Sequence, residues 1–437
     1  MVKNLRDGNL VVKAISSAPF IIFSIFGLGC VPGSYGSNEE RTAVVKLPFV
    51  RVLLSDNLSE VTLGGRGSIS IESVRDDESF IYYSSGSIKL QISGPYIALY
   101  NSSGEEIESG LEQVTVSSRS RWKYLRLGDN KYRGMIRALP IGGRLTLVNI
   151  LYVEDYLKGV VPPEIGPVTE ADTEAIKAQA IAARTYTLAH FGQYQNKPYD
   201  VKSDVSDQLY LGMNVERDLI TGAVKKTEGI VARFDGEFIK AYYHSTCGGY
   251  TDNIENVWSK DPAPYLVSVS CSSMCQPSKY YNWTETFSSD DFLRRLSTYE
   301  SSLKGKTVSY SRIDSIGIDN SFTKPHGPGL RTQDLIVIAD GQRLVYQRDR
   351  IRWVLGRASN PERILQSDYF KIGEISYAKD GSISSITLLG KGYGHGVGMC
   401  QMGALGMARL NTAESIKYTY NQIIKRYYQG ATLDKLY

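Results

Sequence analysis

The chain has 437 residues, enough for two or three domains, and its 42% apolar and 22% charged residues are ordinary for a folded protein, which excludes disorder as the default. The 50 Lys and Arg against 46 Asp and Glu leave a net charge of +4. The basic residues are scattered along the chain rather than gathered into a stripe, so no nucleic acid is implied as a partner.

The chain opens on a basic leader, Lys3, Arg6 and Lys13, followed by an uncharged, mostly apolar run from Ala14 to Leu28. That run is too short to span a bilayer comfortably and has the layout of a secretory signal. Residues 1–29 are therefore read as a signal peptide, and the protein as exported to the periplasm or cell envelope. Cys30 behind Leu28-Gly29 loosely resembles a lipid-attachment site. Lipidation at Cys30, a plain cleaved signal and an uncleaved anchor all stay open, and an N-terminal anchor is the one membrane attachment expected. Residues 30–46 read as a linker.

From Leu47 to Gly143 the pattern is strands and turns. Val50 to Leu54 opens a strand, and Ile88, Leu90 and Ile92 alternate with polar residues. Gly64-Gly65, Gly104 and Gly142-Gly143 punctuate the stretch, which predicts an N-terminal β-rich lobe over 47–143, with 144–437 as a second domain. Leu145–Val153 reads as a further strand. Thr173 to about His190 is the strongest helix signal: Ala-rich, with Asp172 as N-cap and Glu174 in its first turn. Its small side chains let other elements approach closely, so it is expected to be central and buried. Helices are also expected at Leu219–Glu228, Asp290–Leu296, Gln401–Leu410 and Thr412–Tyr428, and strands at Ile230–Phe234 and Glu237–Tyr243. The whole predicts a mixed α+β fold, strand-rich, with the Ala-rich helix packed on sheet.

Three stretches carry the chemistry. The first is Val160-Val161-Pro162-Pro163-Glu164-Ile165-Gly166-Pro167, running on to Glu174, Lys177, Arg184 and Tyr186 of the Ala-rich helix. The second runs from Tyr243-His244-Ser245-Thr246-Cys247-Gly248-Gly249 to Val257-Trp258, and the third is Gly392-Tyr393-Gly394-His395-Gly396-Val397-Gly398-Met399-Cys400-Gln401. The third is not a phosphate loop, since it lacks the Lys-Ser/Thr ending. Its glycines would let backbone approach a ligand closely. In this order, from about Leu47 to Tyr428, the stretches resemble the SpoIID/LytB (stage II sporulation protein D) family.

The resemblance implies a lytic transglycosylase acting on peptidoglycan glycan strands stripped of their stem peptides. Such an enzyme breaks the MurNAc–GlcNAc bond and leaves 1,6-anhydroMurNAc ends, with a peptidoglycan amidase as functional partner. The chemistry is economical. A hydrolysing glycosidase normally needs two carboxylates. In a transglycosylase the sugar's own 6-hydroxyl is the nucleophile, so one carboxyl can act as acid and base in turn. Glu164 takes the place of the family's catalytic Glu, in a turn stiffened by Pro163 and Pro167, with Val160, Val161 and Ile165 as apolar neighbours. The family usually has Met-Pro directly after that Glu; here Ile165-Gly166 intervene before Pro167. Lys177 is implied to bind glycan, with Arg184 roughly on the same face and Tyr186 beyond; an ion pair is the structural alternative for Arg184. Glu174 reads as a helix-terminus charge.

His244, Cys247, Cys271 and Cys275 make a sensible tetrahedral zinc set, and some family members carry zinc there. A disulfide among the cysteines and free thiols stand beside that reading. Tyr393 and His395 are candidates for glycan contact, and Gln401 for capping or binding. Cys400 reads as a buried small residue, and His190 and His326 as structural. The 30 tyrosines mostly suit strand positions, although such rings also pack on sugar faces. Two non-enzymatic readings compete: an amidase enhancer, and a structural glycan-binding protein.

Overall fold

The computed structural model describes residues 48–120, 123–271, 273–320, 331–411, 415 and 417–437, and the backbone of 4–5 and 9–13. The apolar run from Ala14 to Leu28, Cys30, the linker and His326 lie outside the described residues. Asn4–Leu5 and Asn9–Lys13 are strands, and the second pairs antiparallel with Glu78–Ser84. No helix among the described residues is long and apolar enough to cross a membrane. The fold is mixed α+β, as the sequence predicts. The chain divides into two compact units, one of residues 1–163, 190–217 and 437, the other of 164–189 and 218–436.

The first unit is built on two sheets. In one, Glu60–Gly65, Ile88–Ser93, Tyr96–Tyr100, Glu106–Leu111, Tyr124–Leu127 and Asn130–Arg133 form six strands. In the other, Ile69–Arg75, Gln113–Ser118, Met135–Ile141, Arg144–Tyr152 and Phe49–Leu58 lie side by side in that order, inside a nine-stranded sheet. Outer strands bury alternate residues, the pattern of one covered face, whereas Leu145 to Leu151 are buried without a break. The strand-rich part does not end at Gly143. Gly142 and Gly143 form the turn of a hairpin in which Ile141 faces Arg144, so the expected boundary falls inside one continuous ladder. Residues 190–217 return to the same unit. Val201–Lys202 adds a parallel strand to Phe49–Leu58, and the Asp200 carboxylate accepts from the Arg51 guanidinium at 2.6 and 3.1 Å and from its backbone N–H.

The Pro-rich turn expected around Glu164 is instead the end of a helix, Val153–Ile165, with Pro162 and Pro163 inside it. Proline removes the N–H that would bond the carbonyl four residues back. The Gly159 carbonyl freed in this way accepts from Leu211 N–H at 3.2 Å. Gly166, at φ +76°, then ends the helix in the left-handed conformation that glycine supplies without strain. Gly159 is as constrained as the prolines: a Cβ there would lie 2.6 Å from the Tyr210 ring and 2.8 Å from the Gly212 carbonyl. Gly159→Ala is expected to cost about 2 kcal/mol through this overpacking, read as a lowered denaturation midpoint.

In the second unit the Ala-rich helix runs Thr173–Ala189 and is buried along nearly all its length. It packs against helices Asp218–Lys226, Gln401–Ala408 and Tyr420–Tyr427 and strand Ile230–Phe234. Asp172 is not its N-cap. It ends a 3-10 turn, Glu170–Asp172, where its carboxylate accepts from Thr169 N–H at 2.8 Å and from Arg409 at 2.7 Å. The helix expected at Asp290–Leu296 extends over Ser289–Lys304, and of the last expected helix the described part is Tyr420–Tyr427, with 412–414 and 416 outside the described residues. Within the same unit, Asn282–Ser288, Phe370–Tyr377 and Ile383–Lys391 form a sheet. It shares a separate core, including Trp283, Phe287, Phe292, Val337 and Leu388, with helix Ser289–Lys304.

Candidate functional site

The second and third sequence motifs are joined by main chain. Tyr243–His244 pairs in parallel with Met399–Cys400, Thr246 bridges to Tyr393, and Asp252 N–H donates to the Gly396 carbonyl at 2.8 Å. The alternating glycines make room for this packing. A Cβ on Gly398 would fall 2.1 Å from the Tyr242 carbonyl, and one on Gly396 would fall 2.2 Å from Arg331 Nη2, with both glycines at positive φ. Arg331 is fully buried and ion-paired with the equally buried Asp368, whose carboxyl burial pushes up to about 6. It donates to the Gly394 carbonyl at 3.3 Å, so a guanidinium from outside the motif braces the loop.

His395 is held at both ring nitrogens. Nδ1 accepts from Val397 N–H at 3.1 Å, so the proton sits on Nε2, which donates to the Tyr243 carbonyl at 2.9 Å. Its ring lies 4.8 Å from Trp258 and 5.4 Å from His244. Burial lowers its pKa from 6.5 to about 3. Neutral and doubly bonded, His395 orients the loop and is a poor acid or base. Its contribution to stability is fully present above pH 6.5 and is lost as pH falls from there toward about 3, because the unfolded chain takes up a proton that the folded one refuses. The melting temperature of His395→Gln should therefore fall less than that of the parent between pH 7 and pH 4.

The side chains brought together are not the expected four. Cys247, Cys271, Cys275 and Cys400 are all buried, and their sulfurs lie within 4.8 Å of one another. His244 stands outside the cluster: its Nδ1 donates to the Val397 carbonyl at 3.2 Å. Cys400, expected as a small core residue, takes its place. A tetrahedral zinc–thiolate site has sulfurs about 3.8 Å apart, given Zn–S bonds of about 2.3 Å. The cluster fits that geometry, with Cys247 and Cys275 sulfurs 3.5 Å apart. Its surroundings suit thiolates as well. Cys400 Sγ accepts from Cys247 and Gly403 N–H at 3.3 Å, and the Tyr427 hydroxyl lies 3.0 Å from Cys271 Sγ. Hydrogen bonds from the other three thiols pull Cys275 down, while burial pushes Cys247 and Cys400 up. The four cysteines can hold a metal ion.

On the Ala-rich helix, Lys177 Nζ donates to Glu174 at 2.6 Å, and the other Glu174 oxygen accepts from Tyr420 N–H at 2.7 Å. Glu174 thus anchors the start of the last helix, a terminus charge as expected. Arg184 is fully buried and donates to the Ile230 carbonyl at 3.0 Å, which removes it from direct ligand contact. Tyr186 is also buried and packs edge-on against Tyr242 and Tyr243. Gln401 is buried too and reaches Gln179 at 3.4 Å. Glu164 is half-buried, with Val160, Val161 and Ile165 buried around it. Tyr393, also half-buried, stacks 4.4 Å from Tyr280 and accepts from Arg357 at 2.7 Å. The sequence reading missed Tyr280, Arg357 and Arg331. Their signal is weak, because single residues far from the motif acquire meaning only on folding.

Residues 142–234 match the family model described as SpoIID, Stage II sporulation protein. The chain is 32% identical to stage II sporulation protein D of Bacillus amyloliquefaciens, over 65% of this chain and 74% of that protein. The chain belongs to the SpoIID family. An uncharacterized protein of Brachyspira hyodysenteriae is similar over 79% of this chain and 89% of its own length, at 32% identity. The amidase enhancer of Bacillus subtilis is 31% identical over 63% of this chain, which spans 40% of that relative's length. Membership of the SpoIID family carries a role related to the cell wall or sporulation. A second match, over residues 272–398, is to a domain of unknown function (DUF8618).

Proposed function

We propose that this SpoIID-family protein is an exported lytic transglycosylase that cleaves the MurNAc–GlcNAc bond of peptide-stripped peptidoglycan strands. What carries the reading is Glu164, a half-exposed carboxyl on the last turn of a helix whose neighbouring apolar residues are buried. A rigid element presents a proton donor with little rotamer freedom left to lose. Glu164 protonates the glycosidic oxygen as the C1–O bond breaks. The muramic acid 6-hydroxyl attacks C1, and its proton passes to the Glu164 carboxylate. The products are a GlcNAc 4-hydroxyl and a 1,6-anhydroMurNAc end, with the carboxyl regenerated. Lys177 and Tyr393 contact the strand. Zinc held by Cys247, Cys271, Cys275 and Cys400 would be structural, since a closed four-thiolate set leaves no open position for substrate.

Purified protein incubated with peptide-free strands should yield anhydro-ended fragments by mass spectrometry. The likeness to an amidase enhancer favours a second reading, in which the protein binds an N-acetylmuramoyl-L-alanine amidase and raises its rate. No cleavage together with a faster amidase would put that reading first.

A further inference from the structure

Residues around Tyr393 form a cluster that the proposed proton chemistry does not use. Tyr280 stacks on Tyr393 at 4.4 Å, and the carbonyls of Tyr280 and Tyr281 both accept from Gly392 N–H, at 2.9 and 3.2 Å. Each ring carries a cation: Lys279 lies 4.9 Å from the Tyr280 ring centre, Lys391 5.4 Å from Tyr281, and Arg357 4.9 Å from Tyr393. Among the described residues none of the three cations has a carboxylate at ion-pairing distance. The buried Glu285 carboxylate is taken by Ser359 N–H and hydroxyl and by Gln366, at 3.0, 2.9 and 2.7 Å. The Arg357 guanidinium is aimed rather than loose. Its Nε donates to the Ile364 carbonyl at 3.0 Å and Nη2 to the Tyr393 hydroxyl at 2.7 Å, while Nη1 makes no hydrogen bond among the described residues.

Half-buried tyrosine rings with positive charge held over them, and no carboxylate paired with those cations among the described residues, suit a sugar bearing a carboxylate. We propose that Arg357, Lys279 and Lys391, set on Tyr393, Tyr280 and Tyr281, read the free lactyl carboxylate that loss of the stem peptide exposes on muramic acid. This rests on the glycan-strand reading above and deepens it. With the peptide attached, that carboxyl is a neutral amide carrying a bulky chain. The subsite therefore favours stripped strands on charge as well as on size. All six residues lie in the 272–398 segment, which gains a role as the part that reads the substrate's charge.

The test is binding of the full chain to three labelled ligands: peptide-free strands, the same strands with their carboxyls converted to methylamides, and neutral chitotetraose. Amidation should weaken binding about tenfold, the loss of one charge-assisted contact of about 1.4 kcal/mol. Arg357→Gln should bind the carboxylate strands about tenfold more weakly and respond little to amidation, with a much smaller loss of affinity for chitotetraose. Lys279→Gln, at an exposed position, should show a smaller loss of the same kind with the melting temperature of the parent. Equal affinity of the unaltered protein for both kinds of strand overturns the subsite and leaves glycan recognition standing. If none of the three ligands binds, the glycan reading itself falls, and the subsite with it.

Discussion

Glu164→Gln should lower the rate of anhydro-end formation by about a thousandfold, with affinity for peptide-free strands within about twofold of the parent. Glutamine keeps the shape of the side chain on the final turn of Val153–Ile165 and removes only the proton it would exchange. Loss of acid and base function in one change places the effect well within what a single general acid–base group supplies. Glu174→Gln is the control, because Glu174 is already committed to Lys177 and to Tyr420 N–H. It should cost about 1–2 kcal/mol of stability and leave most of the rate. If Glu164→Gln retains a tenth of the parent rate, the carboxyl is not the proton donor. Parallel loss of binding would mean instead that the substitution disturbs strand binding.

With zinc on the four cysteines as proposed, Cys400→Ser should release it and lower the melting temperature by roughly 10 °C, and Cys247→Ser should do the same. The four sulfurs are buried together, so losing one ligand leaves the others without the cation that offsets their charge. A loss of about 3–4 kcal/mol corresponds to that shift in a domain of this size. His244→Ala should keep its full zinc content, since Nδ1 of His244 is spent on the Val397 carbonyl and its ring lies outside the cluster. Metal analysis of the three variants separates the two ligand sets. Zinc that survives Cys400→Ser and disappears with His244→Ala would restore the histidine-containing one.

Both expectations show where the sequence was informative. The Ala-rich helix was legible because its signals are local: uninterrupted helix formers and a first-turn acid, with alanines that allow close packing. The strand pattern, the mixed α+β class and the family followed from alternation and from long runs of unusual residues. The prolines misled, because two of them within a dozen residues ordinarily stop a helix. They are tolerated here because Leu211, from a segment returning to the first unit, bonds one of the carbonyls they leave open.

The ligand set could not be read in the same way. Cys247 N–H and Cys400 Sγ are hydrogen-bonded across 153 residues, and no spacing rule covers such a pair. His244, three residues from Cys247, looked the better ligand because helical and loop spacing favours near neighbours. The parallel pairing of Tyr243–His244 with Met399–Cys400 decides otherwise. It brings Cys400 into the cluster, while His244 bonds the Val397 carbonyl instead. The glycines of 392–398 are a similar case: sequence identifies a flexible run, and only packing against the Tyr242 carbonyl and Arg331 shows what the missing side chains make room for. The sequence by itself determined the family and the principal helix, because each is written within a few turns of chain. Tertiary structure alone decided the cysteine set, the burial of Arg184 and the cations beside Tyr393, because each depends on which distant backbone segments pair.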